Sequence, residues 1–341
     1  MSFAIDIYRQ AAAAGGNVVL SPYSIAIALR MLLAGARGKT AEEIARVVSD
    51  VPPPVSPMLS ANALWIMAGY PLEATFVGAL MRDFGAIAEA VDFARNEAAA
   101  ARINGWVSDQ TRGKVTNLVP ADTLDSLTRI VLTNAVYLKA LWKAPFDAEA
   151  TRDAAFHLGN GREVTVKMMA QRNIRLSAAR IPGGRIFALP YEGGGLSMLV
   201  CLPAAVDGLA EIEASLDPSA WTLTPLSADV FLPRFGTGMA VNLKPLLQAM
   251  GIRRAFDAAA DFSGIANEKM LYVSAALHQA RIDVDEEGTE AAAATAIAVA
   301  ERGLPPRCEE FRVDRPFLFL IRAADGEIVF IGRVADPRSE S

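Results

Sequence analysis

The chain is poor in the side chains that carry most metal and nucleophilic chemistry, with two cysteines and two histidines among its 341 residues. Cys201 and Cys308 lie far apart and in no metal-like spacing, so neither a disulfide framework nor a zinc site is predicted. Cys201 stands in an apolar run and is expected to be buried, whereas Cys308 stands among charges and is expected to be an exposed thiol. A hydrolase would need His157 or His278 as its base, and no G-x-S-x-G motif accompanies either. The sequence therefore favours a protein that is not an enzyme, and a hydrolase that uses His278 is the weakest hypothesis.

Positive charge and long hydrophobic runs are also scarce. Lys and Arg total 33 against 38 for Asp and Glu, and the net charge of −5 argues against a nucleic-acid or anionic-membrane partner. No apolar run approaches the roughly 18 to 20 residues that span a bilayer. The first ten residues meet an acid at Asp6 and lack an apolar core, so no signal peptide is predicted. The chain is thus expected to be cytoplasmic, or secreted with its leader already removed.

Two short motifs come close to ligand-binding patterns and then depart from them. GARGKT at 35–40 would need a glycine at position 33 to form a phosphate-binding loop, and Leu33 stands there. DVDEEG at 283–288 would need a glutamate at its twelfth position to complete a calcium loop, and Ala294 stands there. No cofactor and no bound metal are predicted.

Helical patterns dominate the first third of the chain. Ser21 can cap a helix that begins at Pro22, and Gly35 offers a stop for it. Thr40 and Glu43 have the T-x-x-E spacing of a capping box at the start of the next helix. Further helical patterns cover residues 73–85 and 96–110.

Strand patterns dominate from residue 129 onward. They include RIVLTNAVYLKALW, FALPYEGGGLSMLVCLP, ADVFLPRF and FLFLIRAADGEIVFIGRVADP. Within the last of these, residues 324–326 (Ala-Asp-Gly) predict a hairpin turn between two apolar runs. Early helices, late strands and no regular βαβ alternation favour an α+β fold.

Six stretches together resemble the serpin family of serine protease inhibitors, in a short form like that of prokaryotes. They occur in family order and extend the likeness from Phe3 to Pro337. The stretches are NVVLSPYSIAIALRMLLAGARGKTAEE, INGWVSDQTRGKVTNLVP, VLTNAVYLKALWKAPFD, LPYEGGGLSMLVCLP, VSAALHQARIDVDEEGTEAAAAT and DRPFLFLIRAADGEIVFIGRVADP. The resemblance implies a single domain over 1–341 with three β-sheets, eight or nine helices and an exposed reactive-centre loop at about 286–310.

The resemblance also implies where a target protease would cut. The family's hinge begins with a glutamate sixteen residues before the cleaved bond, which identifies Glu286 and places the bond between Arg302 and Gly303. The Arg302 guanidinium suits the carboxylate-floored pocket of a trypsin-like protease. Arg307 is the alternative, but it follows two prolines, which restrict how a loop fits a protease cleft.

The segment before this bond has the composition of a strand that can enter a sheet. Inhibition in this family requires the cleaved loop to become a new central strand, which calls for small residues and no proline. From Gly288 to Val299 the chain has no proline and a single charge. The hinge residues implied by the resemblance are Glu286, Gly288, Thr289, Glu290, Ala291, Ala292, Ala293 and Ala294.

Two further sets of residues match positions that assist insertion in the family. Ser24, Asn134 and His278 match the shutter, a polar cluster that opens to admit the strand, although they could be unrelated, satisfied polar residues. Trp142 and Glu286 match the breach, where the loop first inserts, although Trp142 could be an ordinary core aromatic.

The resemblance leaves the target and one alternative function open. We expect a monomer whose partner is a trypsin-like serine protease. The stretch VPPPVSP at 51–57 is short where many relatives carry a helix that binds sulfated polysaccharides, so a heparin-type cofactor is not expected. The alternative is a non-inhibitory protein of the same fold that acts as a ligand carrier, a chaperone or a plain protease substrate.

Overall fold

A computed structural model of the chain describes residues 2–13, 15–48, 58–267, 270–289 and 308–338. They form two compact units. Unit 1 comprises Met1–Ala11, Ser21–Tyr137 and Met239–Arg281, and unit 2 comprises Ala12–Leu20, Leu138–Gly238 and Ile282–Ser341. No helix within the described ranges is long and apolar enough to cross a membrane. The single domain expected over 1–341 stays a prediction.

The described residues contain seven α-helices. They are α1 (Phe3–Ala12), α2 (Pro22–Gly35), α3 (Gly38–Val47), α4 (Ala74–Phe84), α5 (Asn96–Gln110), α6 (Leu209–Ala214) and α7 (Leu243–Ala249). The helices predicted over 73–85 and 96–110 are confirmed by α4 and α5.

The ends of α2 and α3 test the predicted caps. The Ser21 side chain accepts a hydrogen bond from the Ser24 amide, and Pro22 is the first residue of α2, as predicted. The capping box is wrong: α3 has no side-chain cap, and the Glu43 carboxylate accepts from the amides of Arg253 and Arg254. The carboxylate therefore bonds two loop amides and does not cap the helix in which it lies.

Gly35 has a packing role and does not stop α2 through a left-handed conformation. It is the last residue of the helix, and the cap is Ala36 at φ −80°. A Cβ on Gly35 would lie 2.2 Å from Ile265 Cγ1. Glycine is therefore needed here because unit 1 packs tightly against this turn.

Sixteen strands lie in the described residues. They are β1 (Val18–Leu20), β2 (Met58–Met67), β3 (Ile87–Val91), β4 (Ile130–Leu138), β5 (Ala140–Leu141), β6 (Arg152–His157), β7 (Glu163–Ile181), β8 (Gly184–Pro190), β9 (Leu196–Pro203), β10 (Thr224–Pro233), β11 (Phe235–Asn242), β12 (Val273–Val284), β13 (Gly288–Thr289), β14 (Glu309–Arg312), β15 (Phe317–Ala323) and β16 (Ile328–Val334). The late strands and the β15–β16 hairpin are confirmed, with Gly326 at φ 97° in its turn. The early strands β2 and β3 were not predicted.

Unit 1 is built on strands in the order β3, β2, β4, β12. β4 and β12 are parallel and directly paired from Ile130 opposite Val273 to Tyr137 opposite Arg281. Helix α5 packs on this sheet through Ile103 and Val107, which share a buried core with strand residues such as Trp65. All nine residues of β4 are buried, which agrees with its mainly apolar sequence and means that its two polar residues, Thr133 and Asn134, lie in the core.

Unit 2 contains a nine-stranded sheet in the order β1, β16, β15, β9, β8, β7, β10, β14, with β6 paired to β7. The 19-residue strand β7 pairs with β6, β8 and β10, so it joins strand groups that would otherwise be separate. For this reason the described strands form two hydrogen-bonded sheets where three were expected.

Candidate functional site

The first candidate site is a buried polar cluster in unit 1, formed by Ser21, Ser24, Asn62, Asn134 and His278. Ser24 lies in the first turn of α2, Asn62 on β2, Asn134 on β4 and His278 on β12. Asn134 and His278 are directly opposite each other in the register of β4 and β12. All five residues are at most 6% exposed. Thus the structure brings together the three residues assigned to the shutter from sequence.

The hydrogen bonds of this cluster fix the state of the imidazole ring. The Ser21 backbone amide donates to His278 Nε2 over 3.2 Å, so that nitrogen carries no proton. In the neutral ring the proton is then on Nδ1, which donates to Asn134 Oδ1 over 2.5 Å. Burial disfavours the charged ring and lowers the pKa of His278 to about 3. The cluster is therefore electrically neutral at physiological pH.

The Asn134 side chain makes the other two hydrogen bonds described here. Its Nδ2 donates to Ser24 Oγ over 2.6 Å and to Asn62 Oδ1, so both amide protons are used. Because each buried polar group has a partner, the cluster links a helix to three strands without an unpaired donor. The same bonds occupy both ring nitrogens of His278, which leaves it no free lone pair to act as a general base.

Asn62 and Ser21 belong to this cluster, and sequence reasoning missed them. Asn62 is the one amide in the apolar stretch ANALWIM, and a lone polar residue in a buried strand requires a hydrogen-bond partner. That signal was present in the sequence. The participation of Ser21 had no such signal, since the bond to His278 comes from its backbone amide.

The second candidate site lies in unit 2, where the chain leaves β12. Gly288 and Thr289 form the short strand β13, which pairs antiparallel with Val284 of β12 and with Ala140 and Leu141 of β5. A Cβ on Gly288 would lie 2.2 Å from the Ala140 carbonyl oxygen. Glycine is required because the two backbones approach each other so closely.

Thr289 is fully buried at the end of this short strand. Its hydroxyl is 2.9 Å from the Tyr191 hydroxyl, and burial raises the pKa of Tyr191. The Tyr191 ring stacks on Trp142 at 4.5 Å between centroids. Trp142 Nε1 donates to the Asp285 carbonyl over 3.0 Å, and its backbone amide donates to the Glu287 carbonyl over 2.8 Å. The Trp142 side chain therefore packs against and hydrogen-bonds the start of the hinge.

Glu286 is held in a buried, polar pocket of unit 2. Arg234 donates to Glu286 Oε1 through Nε over 2.7 Å and through Nη2 over 2.6 Å, and Thr151 Oγ1 also donates to this oxygen. Burial opposes ionisation of Glu286, but Arg234 and Thr151 outweigh it and hold the pKa of the carboxyl below its usual value. The Glu286 carbonyl accepts from the Phe146 amide over 2.7 Å. The structure thus brings Trp142 and Glu286 together, and Arg234, Thr151 and Tyr191 were not found from sequence.

The boundaries of the predicted loop need correction. Glu286 and Thr289 are 5% and 0% exposed, so an exposed loop cannot begin at 286. At the other end, Glu309 and Glu310 lie in β14, which pairs parallel with β10. Cys308 is half-buried and its Sγ lies 3.3 Å from Asn173 Oδ1, whereas an exposed thiol was expected. The expectation for Cys201 is confirmed, because it is fully buried.

The reactive bond and most hinge residues lie outside the described residues. These are Glu290, Ala291, Ala292, Ala293, Ala294, Arg302 and Gly303. Within the described ranges, no group of three or more His, Cys, Asp or Glu side chains could hold a metal ion.

Comparison with known proteins identifies the family. The chain matches the family described as Serpin (serine protease inhibitor) over residues 1–53 and 52–337. It is 36% identical to a serine protease inhibitor of Cyanea capillata, over 94% of this chain and 92% of that protein. It is also 36% identical to the leukocyte elastase inhibitor of Bos taurus, over 98% of this chain and 97% of that protein. The crystal structure of Serpin48, a highly specific serpin of the insect Tenebrio molitor, matches with a TM-score of 0.91 and 33% identity, covering 98% of this chain and 96% of that one.

The chain therefore belongs to the serpin family and has the serpin fold, an α+β fold as predicted. Serpins are inhibitors of proteases and not catalytic enzymes in general, which agrees with the expectation drawn from the scarcity of histidine and cysteine.

Proposed function

We propose that this serpin traps a trypsin-like serine protease as a suicide substrate, with cleavage between Arg302 and Gly303. The protease serine Oγ attacks the Arg302 carbonyl carbon, and the bond to the Gly303 nitrogen breaks. The Gly303 amine leaves with the proton that the serine gave up, and an ester joins Arg302 to the protease. The freed segment then enters the sheet as a strand between β4 and β12 before water reaches the ester.

The direct pairing of β4 with β12 is the observation that carries this proposal. Eight residue pairs between Val273–Ile130 and Arg281–Tyr137 join the two strands, so the position for an added strand between them is still closed. At one end of β12, the seated pair Gly288–Thr289 runs antiparallel to both β12 and β5. An added strand would continue this antiparallel pairing along the same two edges.

Counting along this register supports the role of the shutter. Each residue after Thr289 is matched by one residue back along β12 from Val284 and along the chain from Ala140. Thr295 then falls opposite both His278 and Asn134. The incoming threonine hydroxyl can both accept and donate hydrogen bonds, so it can bond to His278 and Asn134 after insertion has separated them.

Insertion must break the bond between His278 and Asn134. Neighbouring strands lie about 4.8 Å apart, and a strand placed between β4 and β12 would double that spacing. A bond of 2.5 Å between opposite side chains cannot survive this change. The cluster therefore favours the closed sheet and contributes to the barrier that keeps the loop out before cleavage.

The segment is long enough for the mechanism. Arg302 lies fourteen positions after Gly288, and at about 3.3 Å per residue the strand would carry the protease about 45 Å. Period-two alternation puts Thr289, Thr295 and Ile297 on the buried face, and small residues such as Ala292 and Ala294 on the other.

Incubation with trypsin tests the proposal. We expect an SDS-stable covalent complex on a denaturing gel, and N-terminal sequencing of the small released fragment should begin at Gly303. Arg302→Ala should abolish this complex, whereas Arg307→Ala, the matched control, should retain it. An elastase should be assayed alongside, because the Bos taurus relative is named for leukocyte elastase and Arg302→Ala could move the preference toward such an enzyme.

The opposite outcomes identify the alternative function. Rapid cleavage after Arg302 with no complex would show a plain substrate of the serpin fold. Thr289→Arg places a charge at a fully buried position and should convert the inhibitor into a substrate. Full inhibition by Thr289→Arg would contradict insertion along this register.

A further inference from the structure

The chain contains two Asn-Gly pairs, and the structure places them in different surroundings. Asn104–Gly105 lies inside α5, whereas Asn160–Gly161 lies in the turn that joins β6 to β7. When glycine follows asparagine, no side chain hinders attack of the next backbone nitrogen on the asparagine side-chain amide. The two pairs can therefore be compared for this reaction within one molecule.

The turn that contains Asn160 is short and exposed. The Leu158 amide donates to the Arg162 carbonyl over 2.8 Å, and the Gly161 amide donates to the Leu158 carbonyl over 3.0 Å. Asn160, Gly161 and Arg162 are all exposed. Gly161 has φ 80°, and a Cβ on it would meet nothing within 4 Å. The side-chain amide of Asn160 and the backbone nitrogen that follows it are thus both open to solvent.

A hydrogen bond within the turn activates the Asn160 carboxamide. Asn160 Oδ1 accepts from the Arg162 backbone amide over 3.1 Å. A donor on this oxygen draws electron density away from Cγ, which makes that carbon a better electrophile. Among the described residues, Asn160 Nδ2 has no hydrogen-bond partner, so no contact within the protein holds the nitrogen that would leave.

Asn104 is protected from the same reaction. Its Oδ1 accepts from the Val119 amide and its Nδ2 donates to the Val119 carbonyl, each over 2.9 Å. The Gly105 amide lies within α5, where hydrogen bonds to the preceding turn occupy the backbone nitrogens. Reaction at Asn104 would require the helix to open locally, which costs free energy.

We propose that Asn160 is a site of spontaneous deamidation, with water as the co-reactant. The Gly161 backbone nitrogen gives its proton to water and bonds to Asn160 Cγ. The bond from Cγ to Nδ2 breaks, ammonia leaves, and a cyclic succinimide remains. Water then opens the ring at either carbonyl and leaves aspartate or isoaspartate. The inference is independent of the proposed function, because it involves neither the reactive bond nor insertion.

The isoaspartyl product should loosen the β6–β7 hairpin. In this product the backbone runs through the side-chain carbons of residue 160, so the turn gains a methylene group. The bonds between Leu158 and Arg162 close a loop whose length sets the turn geometry. His157 is opposite Glu163 directly beyond this loop. A longer loop strains these closing bonds, and the adjoining end of the hairpin should fray.

The test is prolonged incubation of the purified protein in mildly alkaline buffer, which promotes loss of the backbone proton. Peptide mass spectrometry follows the gain in mass as amide becomes acid, and resistance to a protease that cuts before aspartate identifies isoaspartate. We expect Asn160 to react at least about tenfold faster than Asn104, because the turn need not unfold. Amide hydrogen exchange in a peptide spanning 156–164 should then accelerate at least about threefold.

Asn160→Gln is the matched control, because glutamine keeps an amide at this exposed position but would have to form a larger ring. After the same incubation it should show no modification at residue 160 and unchanged exchange in that peptide. An Asn160 that stays intact, or that reacts no faster than Asn104, would overturn the site. Isoaspartate formation with unchanged exchange, or equal acceleration in Asn160→Gln, would overturn the loosened hairpin.

Discussion

At the scale of single residues, Asn134 and His278 form a direct side-chain hydrogen bond between facing positions of β4 and β12. The ring must be neutral to complete the cluster, because its unprotonated Nε2 accepts the Ser21 backbone amide. A proton on Nε2 would occupy the lone pair that accepts this amide. Protonation and the closed cluster therefore exclude each other.

This exclusion predicts a pH dependence of stability. The pKa of His278 is about 3 in the folded protein and about 6.5 in an unfolded chain. The unfolded state binds the proton first, so the contribution is complete above about pH 6.5 and is lost as the pH falls. By pH 5 the loss is about 2 kcal/mol, measured as a lower urea midpoint or faster unfolding. The variant His278→Gln should not show this loss of stability between pH 6.5 and pH 5.

His157→Gln is the control for that experiment. His157 is the other histidine of the chain; its side chain is 44% exposed and lies 3.6 Å from Glu163. The variant should keep the wild-type loss between pH 6.5 and pH 5. Identical pH profiles for His278→Gln and the wild type would contradict the neutral cluster.

At the scale of elements, β13 is only two residues long, yet its pairing would set the register of the strand that we propose the cleaved loop forms. Its pairing with β5 depends on Gly288, because the Ala140 carbonyl oxygen occupies the space of a side chain. Two further contacts hold β13 in place. The Thr289 hydroxyl lies 2.9 Å from the Tyr191 hydroxyl, and the Asp285 amide donates to the Gly288 carbonyl over 2.9 Å.

Gly288→Ala should therefore unseat β13. The added methyl group meets backbone and not a flexible side chain, so the strand must move. We expect amide hydrogen exchange in a peptide spanning 284–289 to accelerate at least about tenfold, since its protecting bonds open. Gly105→Ala in α5, where a Cβ meets nothing within 4 Å, is the control and should leave that peptide unchanged. Unchanged exchange in Gly288→Ala would show that β13 tolerates a side chain.

Elements differ in how well the sequence predicts them, and the reason is physical. Helices α4 and α5 and the β15–β16 hairpin carry local signals, namely periodicity and a turn glycine. The capping box failed because the Glu43 carboxylate is used by amides more than 200 residues away, a competition that no local pattern reveals.

Some residues of the candidate sites could be predicted from the sequence and others could not. Ser24, Asn134, His278, Trp142 and Glu286 were assigned through family resemblance, and the structure places them in two bonded groups. Their partners Arg234, Thr151 and Tyr191 were missed, because each is an ordinary residue on its own strand or turn and acquires its contact only through tertiary folding.

At the scale of the whole molecule, cleavage should change stability. A strand added between β4 and β12 creates two new backbone ladders, and each net hydrogen bond contributes about 1 kcal/mol. Cutting the wild type with a protease that escapes trapping should raise the midpoint of thermal unfolding by well over about 10 °C. Cleaved Thr289→Arg, in which insertion is obstructed, should rise much less. Equal midpoints for intact and cleaved wild type would contradict insertion.

The direct pairing of β4 with β12 also restricts which substitutions the protein can accept over evolutionary time. Leu132 lies opposite the methyl group of Ala276 in the closed sheet. In the inserted state that we propose, the same register would place Leu132 opposite Ile297. The side chain at position 132 would then have to pack well against two different neighbours, one in each state. A library screened for folding alone would accumulate changes along these two edges that keep the protein intact and cost it its inhibitory function.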